Sequence, residues 1–193
     1  MTQNTTQQLN KDLNRAIERT QNYLFKEQYS EGFWWGELES NPTMEAEFLM
    51  LHFILGIKDD EKFLKLSNHI ISQQREDGTW GQYYGSPGDL STSVECYVAL
   101  KLSGYSENNS SMAKAKDFIR SKGGIEKTRV FTKIWLALIG QWKWEGVPIM
   151  PAELILLPNW SPINIYEFSS WARSTIVPLL ILMDKKPVRQ LPE

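Results

Sequence analysis

The sequence predicts an all-α protein, an α/α barrel of repeated helix pairs. Three observations predict it. A Gln–Gly–Trp spacing occurs twice, as Gln28, Gly32 and Trp34 in "QYSEGFW" and as Gln74, Gly78 and Trp80 in "QREDGTW". The second copy follows the first by 46 residues at all three positions, which is the mark of a repeat. Amphipathic segments alternate with strongly apolar ones, and no run of strand-like alternation interrupts them. The apolar segments close on glycines: Gly56, Gly104 and Gly140. A helix that is apolar all round is buried, so the economical arrangement is an inner ring of apolar helices inside an outer ring of amphipathic ones. Such a barrel is complete or incompletely closed; a helical solenoid is the alternative.

The elements follow in order. Residues 1–9 read as a polar tail. A first helix is expected over 10–28, with Leu13, Ile17, Tyr23 and Leu24 as its apolar stripe and Gly32 beyond its end. Asn41, Pro42 and Thr43 are start signals for the apolar helix that closes at Gly56. The second pair is "DEKFLKLSNHIISQQ", stopping before Gly78, and "TSVECYVALKLSG", with the turn-rich "GSPGDLS" between them. The third is "SMAKAKDFIRSKGG" and "TRVFTKIWLALIG". Gly124 keeps the 46-residue step from Gly78, but neither Gln nor Trp accompanies it, so this copy is degenerate. Residues 141–168 are rich in Pro and Trp and read as an extended segment with short helices. A last helix covers "SSWARSTIVPLLILM", giving a helical domain over 10–183. Residues 184–193, with two prolines and no periodicity, read as a linker towards a further domain.

Composition excludes several function classes. The net charge is −2 and the basic residues are scattered, so a nucleic-acid partner is not expected. One cysteine, Cys96, permits no internal disulfide and fits a reducing, cytoplasmic setting. The polar N-terminus has no secretory pattern, and no run of 18 uninterrupted apolar residues offers a membrane span. His52, His69 and Cys96 fall on different helices without ligand spacing, so no metal site is expected, which counts against a zinc-dependent prenyltransferase subunit. Eight tryptophans point to aromatic stacking, structural or around an apolar ligand.

The Gln–Gly–Trp signature has a physical reading of its own. Glycine permits the left-handed turn after the outer helix. The Gln amide can bond the unpartnered backbone at a neighbouring helix N-terminus, and the indole can cover it. These residues are therefore expected to clamp outer helices together rather than to catalyse. The carboxylates invite chemistry. Glu47 and Glu95 each lie nine residues before a closing glycine, where the third apolar helix has Phe131. Helix dipoles explain acids near N-termini but explain Arg129, at the start of the third apolar helix, badly because its sign is wrong. An acid on an apolar helix is costly unless paired, so an ion-pair cluster of Glu47, Glu95 and Arg129 is expected at one end of the barrel. A helical-barrel glycoside hydrolase would use such acids across a cleft, but these helices are more apolar than a sugar cleft suits.

The segments "WWGELESNPTMEAEF", "QQREDGTW", "GDLSTSVECYVALKLSG", "SKGGIEKTRVFTKIWLALIGQW" and "INIYEFSSWARSTIVPL" together resemble the N-terminal part of bacterial squalene–hopene cyclases. The Gln–Gly–Trp repeats look like the QW motifs of that family of triterpene cyclases. The resemblance implies a terpenoid-cyclase-like helical barrel that, with a second domain, encloses an apolar cavity. There squalene or a related linear isoprenoid folds, an aspartic acid protonates its terminal alkene, and aromatic faces steady the cation as rings close. It implies no metal or organic cofactor, and a monotopic position on the membrane. By position, Trp171 matches a family tryptophan that faces the substrate. Trp135 joins it as a substrate-binding residue, and Glu47, Glu95 and Arg129 match polar positions near the domain–domain end of the cavity. The family's acid lies in a DxDD motif of the C-terminal half. Asp12, Asp59, Asp60, Asp77, Asp89, Asp117 and Asp184 form no such motif here. The chain is therefore expected to be an N-terminal cyclase domain, inactive alone, whose partner is a C-terminal cyclase domain. A non-catalytic domain that binds an isoprenoid or a partner protein is the second reading.

Overall fold

The computed structural model describes residues 3–36 and 40–191. They fall in two units, within Met1–Glu39 and Ser40–Glu193. Residues 1 and 2 of the expected tail, and the last two of the expected linker, lie outside the described residues.

In the first unit, α1 spans Gln3–Lys26. It starts seven residues before the expected Asn10 because apolar periodicity marks only the part of a helix that has an apolar face. The polar first turns are still helical, and the Gln8 amide donates one turn on to Asp12 at 3.1 Å. After α1 the chain turns at Gly32, whose φ is +90°. The Gln28 amide donates to Gly32 O at 2.8 Å, and the Trp34 indole N–H donates back to Leu24 O at 2.6 Å. Tyr29 stacks on Phe33, with ring centres 4.9 Å apart.

In the second unit, α2 (Thr43–Leu55), α4 (Leu90–Leu102) and α6 (Val130–Leu138) pack against one another. Outside them, α3 (Asp60–Ser72) lies on α2 and α4, and α5 (Ser110–Ser121) lies on α4. Starts are set by short polar side chains. Asp59, Asp89 and Asn109 accept the free N–H groups of Lys62, Thr92 and Ser111. Asn41 Oδ1 accepts both the N–H and the hydroxyl of Thr43 at the head of α2. The three closing glycines make one and the same stop. Each has φ between +72° and +88° and donates three residues back, while the next residue donates five back, from Ile57 to His52, Tyr105 to Leu100 and Gln141 to Leu136. This double bond pattern satisfies the last carbonyls of each inner helix.

Leu49 and Met50 of α2, Ile70 of α3, Val94 and Leu100 of α4, Met112 of α5 and Leu136 of α6 meet around Trp80 in one core. A second cluster joins α6 to the segment that follows it and to the final helix, through Ile134, Leu138, Trp144, Val147 and Met183. Residues 141–168 contain three short 3-10 turns, at Trp144–Gly146, Ala152–Leu156 and Ile165–Glu167. The final helix, α7, runs over Ser170–Lys185 with Pro178 inside it. A further expectation needs correction. The helix α2 is apolar all round but not buried all round, since Met44, Phe48, Leu51 and Leu55 form an exposed stripe along it.

The residues after α7 lie against the unit itself. Arg189 N–H donates to Leu138 O at 2.8 Å and its guanidinium to Ile54 O at 3.1 Å. The guanidinium also sits 5.5 Å from the Phe53 ring centre. Trp144 donates to Pro187 O at 3.3 Å. The segment thus covers the C-terminal ends of α2 and α6, where carbonyls lack partners and positive charge is favoured. Gly56 is favoured here by its left-handed φ of +72°, and a Cβ on it would stand 2.7 Å from the flexible end of the Arg189 side chain and push it aside.

Candidate functional site

The polar cluster forms where α4 and α6 begin. Asp89 caps α4 and puts Ser91 in its first turn, and Ser91 Oγ accepts the backbone N–H of Arg129 at 3.0 Å. Arg129 is the residue that precedes α6, so this bond fixes the start of α6 against α4. One turn into α4, Glu95 is fully enclosed. Its Oε1 lies 3.6 Å from Arg129 Nη2 and accepts the Thr132 hydroxyl. Its Oε2 is buried without a hydrogen-bond partner. Arg129 is 40% exposed, so the pair has one dry and one wet end.

Burial pushes the Glu95 carboxyl up to about 7, against the pull of the Thr132 hydroxyl and Arg129; the charges of Glu47 and Asp89 push it further up. Glu47 of α2, half-buried, is also raised by burial, and the Trp135 indole and Arg129 partly offset this. Both acids therefore feel the same arginine, and Trp135 packs partly buried between the two apolar clusters. The structure brings Glu47, Glu95 and Arg129 towards the N-terminal ends of the inner helices, with Trp135 further along α6 beside them. Trp171 is elsewhere: it stands in the first turn of α7, 83% exposed and outside both apolar clusters.

The two Gln–Gly–Trp turns have the same internal geometry. Gln74 donates to Gly78 O at 2.9 Å and Trp80 to Ile70 O at 2.7 Å, matching Gln28, Gly32, Trp34 and Leu24 bond for bond. The second turn is also seated on α5. The Gln74 amide donates to Ser111 O at 3.0 Å, so it meets a carbonyl in the first turn of α5 rather than the free N–H groups expected there. Trp80 is wholly enclosed, whereas Trp34 is 49% exposed. Gly78 approaches α5 so closely that a Cβ would meet Lys114 Cβ at 2.3 Å, while Gly32 has open space.

Sequence reasoning missed Thr132 and Ser91. The signal for Thr132 was present: it lies three residues from both Arg129 and Trp135, on one face of α6. Ser91 carried none, since serine in a first turn is ordinary. Among the described residues no group of His, Cys, Asp and Glu side chains is arranged to hold a metal ion.

Helix pairs with Gln–Gly–Trp turns and an acid–arginine cluster on the inner helices define an α/α-repeat domain. The family model of the squalene-hopene cyclase N-terminal domain matches residues 17–193. The chain is 50% identical over 179 residues to a squalene–hopene cyclase of Alicyclobacillus acidocaldarius, covering 93% of this chain and 28% of the relative. It is 44% identical to a dammaradiene synthase of Dryopteris crassirhizoma, covering 91% of this chain and 26% of that protein. It is 40% identical to a squalene–hopene cyclase of Zymomonas mobilis, covering 93% and 28%. The chain thus belongs to the squalene–hopene cyclase family, as its N-terminal domain, and spans little more than a quarter of these relatives' length.

Proposed function

We propose that this chain is the N-terminal part of a cyclase that folds a linear isoprenoid such as squalene and closes it into rings. The observation that carries the reading is the 50% identity to a squalene–hopene cyclase across 93% of the chain. The division of labour follows from the chemistry. Protonating an alkene needs a strong, shielded acid. Glu95, raised to about 7, and Glu47, also raised, are too weak as acids for that task. No DxDD occurs in the sequence, so the proton comes from a C-terminal cyclase part. This domain contributes the apolar wall, Trp171 and Trp135 as π faces towards the substrate, and the Glu47–Glu95–Arg129 cluster as a polar end to an apolar cavity. The reading uses no metal or organic cofactor. The exposed apolar stripe of α2 supports a place against the other part. The assembled enzyme takes its substrate at the cytoplasmic face of a membrane as a peripheral protein; among the described residues no helix is long and apolar enough to cross one.

The test combines the purified chain with the C-terminal part of a squalene–hopene cyclase relative, supplied as a separate polypeptide, and detergent-dispersed squalene. Polycyclic product from the mixture and none from either part is expected. Product from this chain alone would show an acid within it. Binding of squalene with no product from the mixture would favour the isoprenoid-binding reading instead.

A further inference from the structure

Glu95 is held by one oxygen. Oε1 accepts from Thr132 and faces Arg129, while Oε2 is enclosed and has no hydrogen-bond partner. A buried polar atom left unpaired is costly, so an arrangement that keeps one needs something to enforce it. Thr132 is suited to do so. It is itself fully enclosed, its β-branch restricts χ1, and it sits one turn past Arg129, whose backbone is tied to Ser91. A helical threonine commonly returns its hydroxyl to a carbonyl of the preceding turn. Thr132 instead donates across to the side chain on α4.

We propose that Thr132 is the positioning residue of this cluster: its hydroxyl holds the Glu95 carboxyl by Oε1 and so fixes the carboxyl's orientation against α6 and how tightly it holds a proton. That this proton matters to cyclisation rests on the function proposed above; the coupling of Thr132 to Glu95 does not. The charged groups around Glu95 are Arg129 before α6, Glu47 on α2 and Asp89 before α4. Removing the Thr132 donor leaves those three in place and takes away only a bond that favours the anion. Glu95 then holds its proton to higher pH, and its carboxyl is free to turn.

The experiment is a titration of the whole chain by infrared spectroscopy over about pH 5 to 9, with Glu95→Gln to assign the Glu95 carboxyl band. A midpoint near the value of about 7 is expected for the parent. Thr132→Val should move it to higher pH, and Thr132→Ser, which keeps the hydroxyl, should restore it. An unmoved midpoint in Thr132→Val overturns the proposal. If Thr132→Val does not fold, Thr132→Ser decides: its midpoint must stay with the parent's even if its thermal stability falls, and a displaced midpoint overturns the proposal. The same variants, combined with the C-terminal part of a relative, separate the two ideas. A shifted titration without any cyclisation by the parent mixture supports the positioning role and defeats the cyclase reading. Cyclisation with an unmoved titration does the reverse.

Discussion

Glu95 makes the stability of this domain depend on pH in an unusual direction. Its carboxyl titrates near 4.5 when exposed and at about 7 when folded. Between those values the folded chain holds a proton that the unfolded chain has released. Stability from this group is full below about pH 4.5 and is lost as pH rises through about 7, at up to about 1.4 kcal/mol per pH unit. Glu47, raised for the same reason, acts with the same sign. Urea unfolding between those pH values should therefore show falling stability, and Glu95→Gln should flatten the slope. An equal slope in Glu95→Gln would mean that the carboxyl is not buried as described. The glycines give a second test at this scale. Gly78→Ala must hold a left-handed φ of +82° and displace Lys114, whereas Gly32→Ala pays for its φ alone, about 1–2 kcal/mol. Thermal unfolding should rank Gly78→Ala as the more damaging, and Trp80→Ala should cost about 3–5 kcal/mol because its indole is enclosed. Equal effects at Gly78 and Gly32 would remove the close approach to α5.

At the scale of elements, the inner helices are tied near both ends. Arg129, before α6, lies by Glu95 of α4, and at the C-terminal ends Arg189 bonds the Ile54 carbonyl of α2 and the Leu138 carbonyl of α6. Arg189→Ala loses an exposed charged hydrogen bond and a cation–π contact, for an expected cost of about 1 kcal/mol. Arg189→Lys should retain part of it, since an ammonium still suits a helix C-terminus. Hydrogen exchange at Gly56 and Ile57 should quicken in Arg189→Ala; unchanged exchange there would show that the strap does not hold α2. This strap also shows why part of the fold was not legible in the sequence. Repeat spacing, caps and closing glycines are local signals, and they located the three inner helices to within a few residues. Arg189 meets Ile54 across a sequence separation of 135, and a Pro-rich tail with no periodicity gives no sign of it. The Gln–Gly–Trp turns lie between these cases. The turn itself is local and repeats faithfully, while the choice of a carbonyl on α5 as the Gln74 partner depends on how two outer helices meet.

At the scale of the whole molecule, the question is what Trp171 is for. The polar cluster was partly readable because a charge on an apolar helix demands a partner, and that demand can be seen without coordinates. Trp171 had no such local argument, and its place at the substrate was expected only from the resemblance of "SSWAR" to a family motif. The structure changes the terms of the test. Burying an indole is among the larger single contributions a residue makes to a core, yet this one is 83% exposed and joins neither apolar cluster. A residue of that kind contributes little to the stability of the chain that holds it. Trp171→Phe and Trp171→Leu should therefore unfold within about 0.5 kcal/mol of the parent. If the indole faces substrate in the assembled enzyme, the same variants should behave differently once the C-terminal part is added. Phenylalanine keeps a weaker π face and leucine none, and one such contact with a cation contributes about 0.5–2 kcal/mol, or roughly two- to thirtyfold in rate. Activity should fall from Trp to Phe to Leu while the affinity of the two parts for each other is unchanged. If both variants instead weaken association of the parts and leave the rate of the assembled enzyme intact, Trp171 belongs to the interface with the C-terminal part and not to the substrate cavity.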